Sequence, residues 1–176
     1  MKKLCLCIMI MAASMINVTA YDPVPDYKIK AALIEKFTRF VIWPFESSTS
    51  NQDDPFVIAL IGENQLGIYL EEAMAERKIK GRAVVVKKIE NLDQVEGCHI
   101  LFIAQSEKKR LASILARIEN EPILTIGSTD GFAQQGVLIN FFRSDDTIRF
   151  EVNISVVHKS SLHMSAKLLR VARIIK

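Results

Sequence analysis

Cysteine is scarce in this chain, and two of its three cysteines fall within the first seven residues. Cys5 and Cys7 lie in an apolar amino-terminal segment, so a chain that loses this segment keeps Cys98 alone and forms no internal disulfide. Without disulfides, a domain of this size depends on its hydrophobic core for stability. Cys98 itself stands in the apolar run Cys98–Ala104, which predicts a buried and unreactive thiol.

The chain also lacks the motifs of common catalytic and binding sites. It has no Gly-x-Ser-x-Gly nucleophile elbow, no Walker lysine and no complete dinucleotide-binding glycine motif. Its histidines, His99, His158 and His163, have no cysteine or carboxylate at metal-ligand spacing. No dense basic run of the kind that binds nucleic acid is present. The sequence therefore predicts no enzyme, no cofactor and no metal site, and it argues against a nucleic-acid partner.

The amino terminus has the pattern of a cleavable secretory signal. A Lys-Lys start precedes the apolar run Leu4–Ile16, and Val18–Ala20 supplies the cleavage signal. The run of roughly 13 residues is shorter than the about 20 that span a membrane, and no later segment reaches that length without charges. We expect a signal peptide over residues 1–20 and an exported domain over residues 21–176. Loss of two of the 23 basic residues leaves 21 against 20 acidic residues, so the mature net charge is +1.

The mature segment alternates predicted strands and helices. Four apolar runs suit strands buried on both faces, and the segments between them carry apolar residues at helical spacing. The expected strands cover 55–62, 82–89, 98–104 and 122–127, and the expected helices cover 27–43, 64–76 and the segment after Ser106. This alternation predicts a single-domain, three-layer α/β fold, with a mixed, mostly parallel sheet of about six strands flanked by helices.

The last third of the chain changes character. Two strands, 137–143 and 147–154, flank the turn Ser144–Asp146, which predicts an antiparallel hairpin. In the second strand apolar and polar residues alternate, so we expect one of its faces to be wet. A closing helix capped by Ser160 or Ser161 is expected to follow.

Eight short stretches follow one another in a characteristic order. They are Lys30–Phe37, Phe40–Pro44, Phe56–Gly62, Gly97–Ile103, Pro122–Gly127, Gly131–Gly136, Phe150–Asn153 and Leu168–Ala172. Each is weak alone, but their joint order resembles the YfiR family of periplasmic proteins. The Trp-Pro helix end and the Cys-His-Ile-Leu-Phe-Ile strand are its most specific parts.

The resemblance implies a regulator of a membrane signalling protein. Such proteins bind the periplasmic sensor part of a membrane-bound diguanylate cyclase and hold it inactive, which lowers cyclic di-GMP and biofilm formation. Members tend to dimerise, so a second copy of the chain is a further candidate partner. Cys98 matches one family cysteine, but its partner and the second pair expected between Phe132 and Asn140 are missing. Thiol–disulfide control within the monomer is therefore excluded.

The hairpin is the predicted docking surface for a partner. Val137, Ile139 and Phe141 form one row of their strand, and a hairpin near the chain's end does not easily bury both of its faces. We expect Ile139 and Phe141 to form the exposed apolar centre, with a polar rim of Arg143, Glu151 and Asn153. The alternative is that the two terminal helices bury both rows.

A different class of function stays open, that of a module which binds a small ligand and serves another membrane sensor. Such a module needs a closed pocket with a few convergent polar groups. The turns Gly62–Gly67 and Gly127–Gly131 follow predicted strands, where an anion can bind backbone N–H groups, but an ordinary turn and a simple loop explain them better. A partner-binding protein needs an exposed apolar patch instead.

Overall fold

An eight-stranded mixed sheet forms the central layer of the protein. The computed structural model describes residues 24–47 and 54–176. The signal segment predicted for residues 1–20 lies outside them. Within the described residues the strands are β1 Val41–Ile42, β2 Phe56–Ile61, β3 Lys78–Ile79, β4 Arg82–Ile89, β5 Ile100–Ile103, β6 Leu124–Gly127, β7 Ile139–Ser144, β8 Thr147–Asn153, β9 His163–Met164 and β10 Arg173–Ile175.

Helices cover both faces of this sheet. They are α1 Val24–Thr38, α2 Leu66–Met74, α3 Leu111–Arg117, α4 Ile154–Lys159 and α5 Ala166–Val171. Short 3-10 helices occupy Pro44–Ser47, Leu92–Val95 and Gln105–Arg110. The predicted α/β class is confirmed, since strands and helices alternate from β2 to β6 as the apolar runs indicated.

The strand order is β10-β8-β7-β6-β5-β2-β4-β3. In this sheet the adjacent strands β4, β2, β5, β6 and β7 are all parallel. Strands β7 and β8 form an antiparallel hairpin, and β10 pairs in parallel with β8. A separate antiparallel pair joins β1 to β9. The sheet has eight strands rather than about six because β3 and β10 add to its edges, and strands of two or three residues leave no periodicity in a sequence.

Two hydrophobic clusters lie on the two faces of the sheet. In β2, Ile58 and Leu60 belong to the cluster that α1 and α2 cover, and Ala59 and Ile61 belong to the cluster that α3 covers. The continuous apolar run of β2 therefore follows from burial on both sides.

The first helix differs from its prediction in length and in orientation. It ends at Thr38 rather than at Trp43, because the chain turns into β1, where the Phe40 carbonyl accepts a hydrogen bond of 2.8 Å from the Ser165 N–H. Ala31, Ile34 and Phe37 are buried, whereas Ile29, expected inside, is 45% exposed. Packing against α2 and the sheet sets the inward face, and the helical period alone does not.

The closing segment is more divided than the single predicted helix. It contains α4, β9, α5 and the edge strand β10. The side chain of Ser165, rather than that of Ser160 or Ser161, caps α5 by accepting a hydrogen bond from the Leu168 N–H. The hairpin that precedes this segment is confirmed, with Asp145 and Asp146 at positive φ values of 48° and 57° in a two-residue turn.

Candidate docking site at the carboxyl-terminal edge of the sheet

The apolar row of β7 lies in the core and not on the surface. Ile139 and Phe141 are 0% and 1% exposed. The ring of Phe141 stacks on Phe37 of α1 at a centroid distance of 5.8 Å, and Phe37 also meets Phe150 edge-on at 4.8 Å. The expected exposure of this row is wrong, because α1 covers this face of the hairpin. Neither side chain is accessible to a partner. For this row the alternative expectation, burial by a terminal helix, is the correct one, and the helix is α1.

The polar face of the hairpin is also mostly buried. Thr147 and Arg149 are exposed near the turn, but Asn140, Glu151 and Asn153 are at most 6% exposed. The solvent-exposed face expected for β8 is thus limited to the end of the strand next to the turn. The other end is enclosed by the segment that follows β6, in which Phe132 is fully buried.

Hydrogen bonds satisfy these buried polar side chains. Asn140 Oδ1 accepts from the Thr129 N–H at 3.2 Å, and its Nδ2 donates to Glu151 Oε1 at 3.1 Å. Asn153 Nδ2 donates to the Ala133 carbonyl at 2.7 Å, and its Oδ1 caps α4. Buried polar groups of this kind are tolerated because each has a partner.

The charge of Glu151 is balanced by an arginine on the edge strand. Arg173 Nε donates to Glu151 Oε2 at 2.9 Å, and Arg173 Nη2 contacts the same oxygen. The guanidinium of Arg173 also lies over the ring of Phe142, 3.6 Å from its centroid. Arg173 and Glu151 are aligned across the β8–β10 pair. The salt bridge therefore ties β10 to the sheet.

This partner of Glu151 is a residue that the sequence did not indicate. Arg143 was expected to share the polar rim with Glu151, and it binds Asp26 at 3.1 Å and Asp146 at 3.2 Å. Arg173 stood within the expected closing helix, so its alignment with β8 had no signal in the sequence. Of the five predicted docking residues, Arg143 alone lies on the surface; Glu151 and Asn153 lie beneath it and hold β10 and α4.

The edge formed by α5 and β10 carries exposed apolar and basic side chains. We call this surface the β10 edge, and its residues are Lys167, Arg170, Val171, Arg173, Ile174 and Lys176. Val171 and Ile174 are 71% and 41% exposed. The Arg173 side chain is 53% exposed despite its bond to Glu151. Exposed apolar residues beside charges are the surface expected of a docking protein.

The half-buried histidine His99 has a structural role. Burial, and then the nearby charge of Arg82, lower the pKa of His99 to about 4. Its Nδ1 accepts a hydrogen bond of 3.0 Å from the Val57 N–H, and its ring stacks on Phe56 at 4.5 Å. A groove of about 400 Å³ lies beside it. Because the neutral ring secures the start of β2, its low pKa needs no catalytic explanation.

Cys98 and His99 both precede β5, and their side chains pack on opposite sides of the sheet. Cys98 belongs to the cluster beneath α3, and it is a free and buried thiol. Strand alternation does not explain this placement, because Ile100 and Phe102 of β5 belong to the other cluster. Burial raises the pKa of Cys98 and outweighs the opposing influence of Lys87. A protonated thiol without an adjacent base is a poor nucleophile.

The ligand crevice typical of α/β sheets is closed here. Such crevices lie at the carboxyl ends of parallel strands where the strand order reverses, here between β2 and β5. The Glu63 N–H donates to Ser106 Oγ at 2.9 Å across this point, and a Cβ on Gly62 would lie 2.5 Å from the same oxygen. In the second glycine-containing turn, the Thr129 N–H is bound to Asn140. Neither contact favours an anion site.

Comparison with known families agrees with the resemblance seen in the sequence. The model of the YfiR/HmsC-like family matches residues 27–173, which is most of the chain. The chain belongs to the YfiR/HmsC-like family. This family is periplasmic and regulatory rather than catalytic. A search of curated proteins gave no match.

Two further findings concern the described residues. Across 24–47 and 54–176, no helix combines the length and the apolar character that a membrane span requires. In the same part of the chain, no cluster of three His, Cys, Asp or Glu side chains is arranged to hold a metal ion.

Proposed function

We propose that this protein is a periplasmic regulator that docks on a membrane-bound diguanylate cyclase and represses it, which lowers cyclic di-GMP and biofilm formation. The observation that carries the proposal is the family match over residues 27–173. The geometry is consistent with a docking role, because the crevice between β2 and β5 is closed and His99 has a structural role.

The docking surface that we propose is the carboxyl-terminal end of the sheet. It combines the β10 edge with the exposed Arg143 of the hairpin. Within it, Glu151 and Asn153 act as positioning residues: Glu151 holds Arg173 and so β10, and Asn153 caps α4. Ile139 and Phe141 support this surface from the core rather than contact the partner.

The second candidate function is the binding of a small ligand in the service of another membrane sensor. A groove of about 420 Å³ between α3 and α4 favours it. Apolar walls from Leu115 and Val156 face polar groups such as Lys159 and Glu121 there. A ligand present at 100 times its dissociation constant would stabilise the fold by about 2.7 kcal/mol, which a thermal melt detects.

Deletion of the gene tests the proposed function. We expect cyclic di-GMP to rise in the deletion strain and to return to the wild-type level when the intact gene is restored. A deletion strain that also lacks the partner cyclase should show no rise. Unchanged cyclic di-GMP on deletion would contradict repression of a cyclase and would favour a different membrane sensor.

A further inference from the structure

We propose that the β10 edge binds an extended segment of the partner, in which apolar and acidic residues alternate, by adding it to the sheet as a ninth strand. The proposal rests on the docking function proposed above and specifies its chemistry. It is carried by the position of β10 in the sheet, by the direction of its side chains and by the charge around it.

The backbone of β10 supplies the first part of the argument. β10 is the last strand in the order and pairs with β8 alone among the described strands. The outer edge of such a strand presents N–H and C=O groups to solvent, and an added strand satisfies them with main-chain hydrogen bonds. Three residues provide few such bonds, so side chains must supply the specificity.

The register of β10 fixes which side chains an added strand would meet. Ile174 is aligned with Val152, whose side chain lies in the core cluster under α1, so Ile174 extends the apolar face of the sheet beyond β8. Arg173 is aligned with Glu151 and lies on the opposite face. Because side chains alternate along a strand, a partner strand would place apolar residues beside Ile174 and acidic residues beside the exposed part of Arg173.

The positive charge of the β10 edge favours an acidic partner segment over a second copy of this chain. Lys167, Arg170, Arg173 and Lys176 follow one another at intervals of three residues, and the sheet-facing carboxylate Glu151 is enclosed at 2% exposure. A second copy that paired β10 with β10 would place like charges side by side, which destabilises cross-strand pairs. An acidic segment avoids this repulsion, and its carboxylates are attracted to the basic side chains of the β10 edge.

A peptide experiment tests the inference directly. The probe is a labelled seven-residue peptide, acetylated and amidated, in which Glu and Val alternate, and its binding to the purified protein is followed by fluorescence anisotropy. We expect saturable binding that weakens with salt. A peptide with Lys in place of Glu should bind at least about tenfold more weakly, because it brings like charges to the edge.

Backbone methylation separates strand addition from simple charge attraction. The same Glu-Val peptide with a methyl group on every backbone nitrogen keeps its charges but loses all of its main-chain donors. We expect about tenfold weaker binding, because two or three main-chain hydrogen bonds are lost. Equal binding of the methylated and unmethylated peptides would overturn strand addition.

Matched variants locate the binding. Ile174→Glu and Arg170→Glu should each weaken peptide binding, by up to about fivefold for the charge reversal. The controls are Ile68→Glu, at a residue 69% exposed on α2, and Lys109→Glu, at an exposed lysine of the 3-10 helix before α3. Both controls should bind as wild type, and thermal melts should show all four variants folded. Equal losses in the variants and their controls would contradict a site at β10.

The outcomes separate this inference from the proposed function. Peptide binding without any effect of gene deletion on cyclic di-GMP would refute the proposed function and leave the strand-binding edge in place. A deletion effect without peptide binding would refute the inference alone. Binding to vesicles of phosphatidylglycerol, with no binding of the peptide, would overturn the inference in favour of an anionic membrane surface.

Discussion

Glu151 and His99 are polar groups enclosed at different places of the same sheet, and the protein accommodates them in opposite ways. Glu151, at the β8–β10 end, is 2% exposed and has an arginine as its partner. His99, beside the start of β2, lies between the rings of Phe45 and Phe56 and accepts a backbone hydrogen bond. One site balances a charge with an opposite charge, and the other keeps the group neutral.

The comparison shows that the two sites contribute differently to the molecule. The carboxylate of Glu151 connects the core to an edge strand and thereby to the proposed docking surface. The imidazole of His99 joins the start of β2 to the start of β5 through its hydrogen bond from Val57. The backbone carbonyl of His99 accepts a hydrogen bond of 3.3 Å from the Trp43 indole, which ties in the segment after α1. We therefore expect opposite kinds of variant to disturb the two sites.

The largest effect is expected from Arg173→Ala. This change leaves the buried carboxylate of Glu151 without its cation, and loss of one partner of a buried ion pair costs about 3–5 kcal/mol. Since Arg173 is half exposed, we expect about 3 kcal/mol at the lower limit of that range, measured by urea unfolding. The matched control is Arg149→Ala, at an exposed residue of β8, which should change stability by less than about 0.5 kcal/mol.

A double variant sharpens this prediction. If the cost comes from a stranded carboxylate, adding Glu151→Gln to Arg173→Ala should recover part of the lost stability. A double variant that is less stable than Arg173→Ala alone would show that packing of the arginine on Phe142 matters more than its charge.

Acid is expected to destabilise the His99 site by a smaller amount. The pKa of His99 is about 4 in the folded protein, below the ordinary 6.5, so the unfolded chain takes up the proton more readily. Stability should therefore fall as the pH drops below about 6.5, with the loss complete below about pH 4. We expect about 1–2 kcal/mol from this group, once solvent screening of the half-buried ring is allowed for.

The variant His99→Asn tests the assignment, because an amide oxygen can accept the Val57 hydrogen bond without titrating. Thermal melts between pH 7 and pH 4 should show a smaller decline for the variant than for the wild type. Identical pH profiles would assign the acid sensitivity to other groups.

The smallest effect is expected from reducing agent. Cys98 is free and buried, so reductant should leave the melting temperature unchanged within error. Loss of a native disulfide would cost about 2–5 kcal/mol and would be easily seen. A clear drop in melting temperature would mean that Cys98 bridges two chains.

The sequence predicted the parts of this fold that depend on local patterns. The apolar runs located β2, β4, β5 and β6, and the Ser-Asp-Asp turn located the hairpin, because two-residue turns need residues that tolerate positive φ. These features follow from the period of a strand and from turn chemistry.

The candidate site depended on contacts that no local pattern encodes. The burial of Ile139 and Phe141 results from α1, which lies about a hundred residues earlier in the chain, and Glu151 meets an arginine 22 residues further on. The strand β10 is too short for a periodic signal and stood within a predicted helix. The hairpin therefore suggested the right end of the sheet but the wrong surface residues.

The most direct test of the account is the amount of cyclic di-GMP in a deletion strain that carries either Arg170→Glu or Lys109→Glu at equal protein levels. Both changes reverse one exposed positive charge, one at the β10 edge and one beside α3. The account predicts that Lys109→Glu restores the wild-type amount and that Arg170→Glu leaves it raised. Equal restoration by both variants would contradict a repressor that docks through the β10 edge.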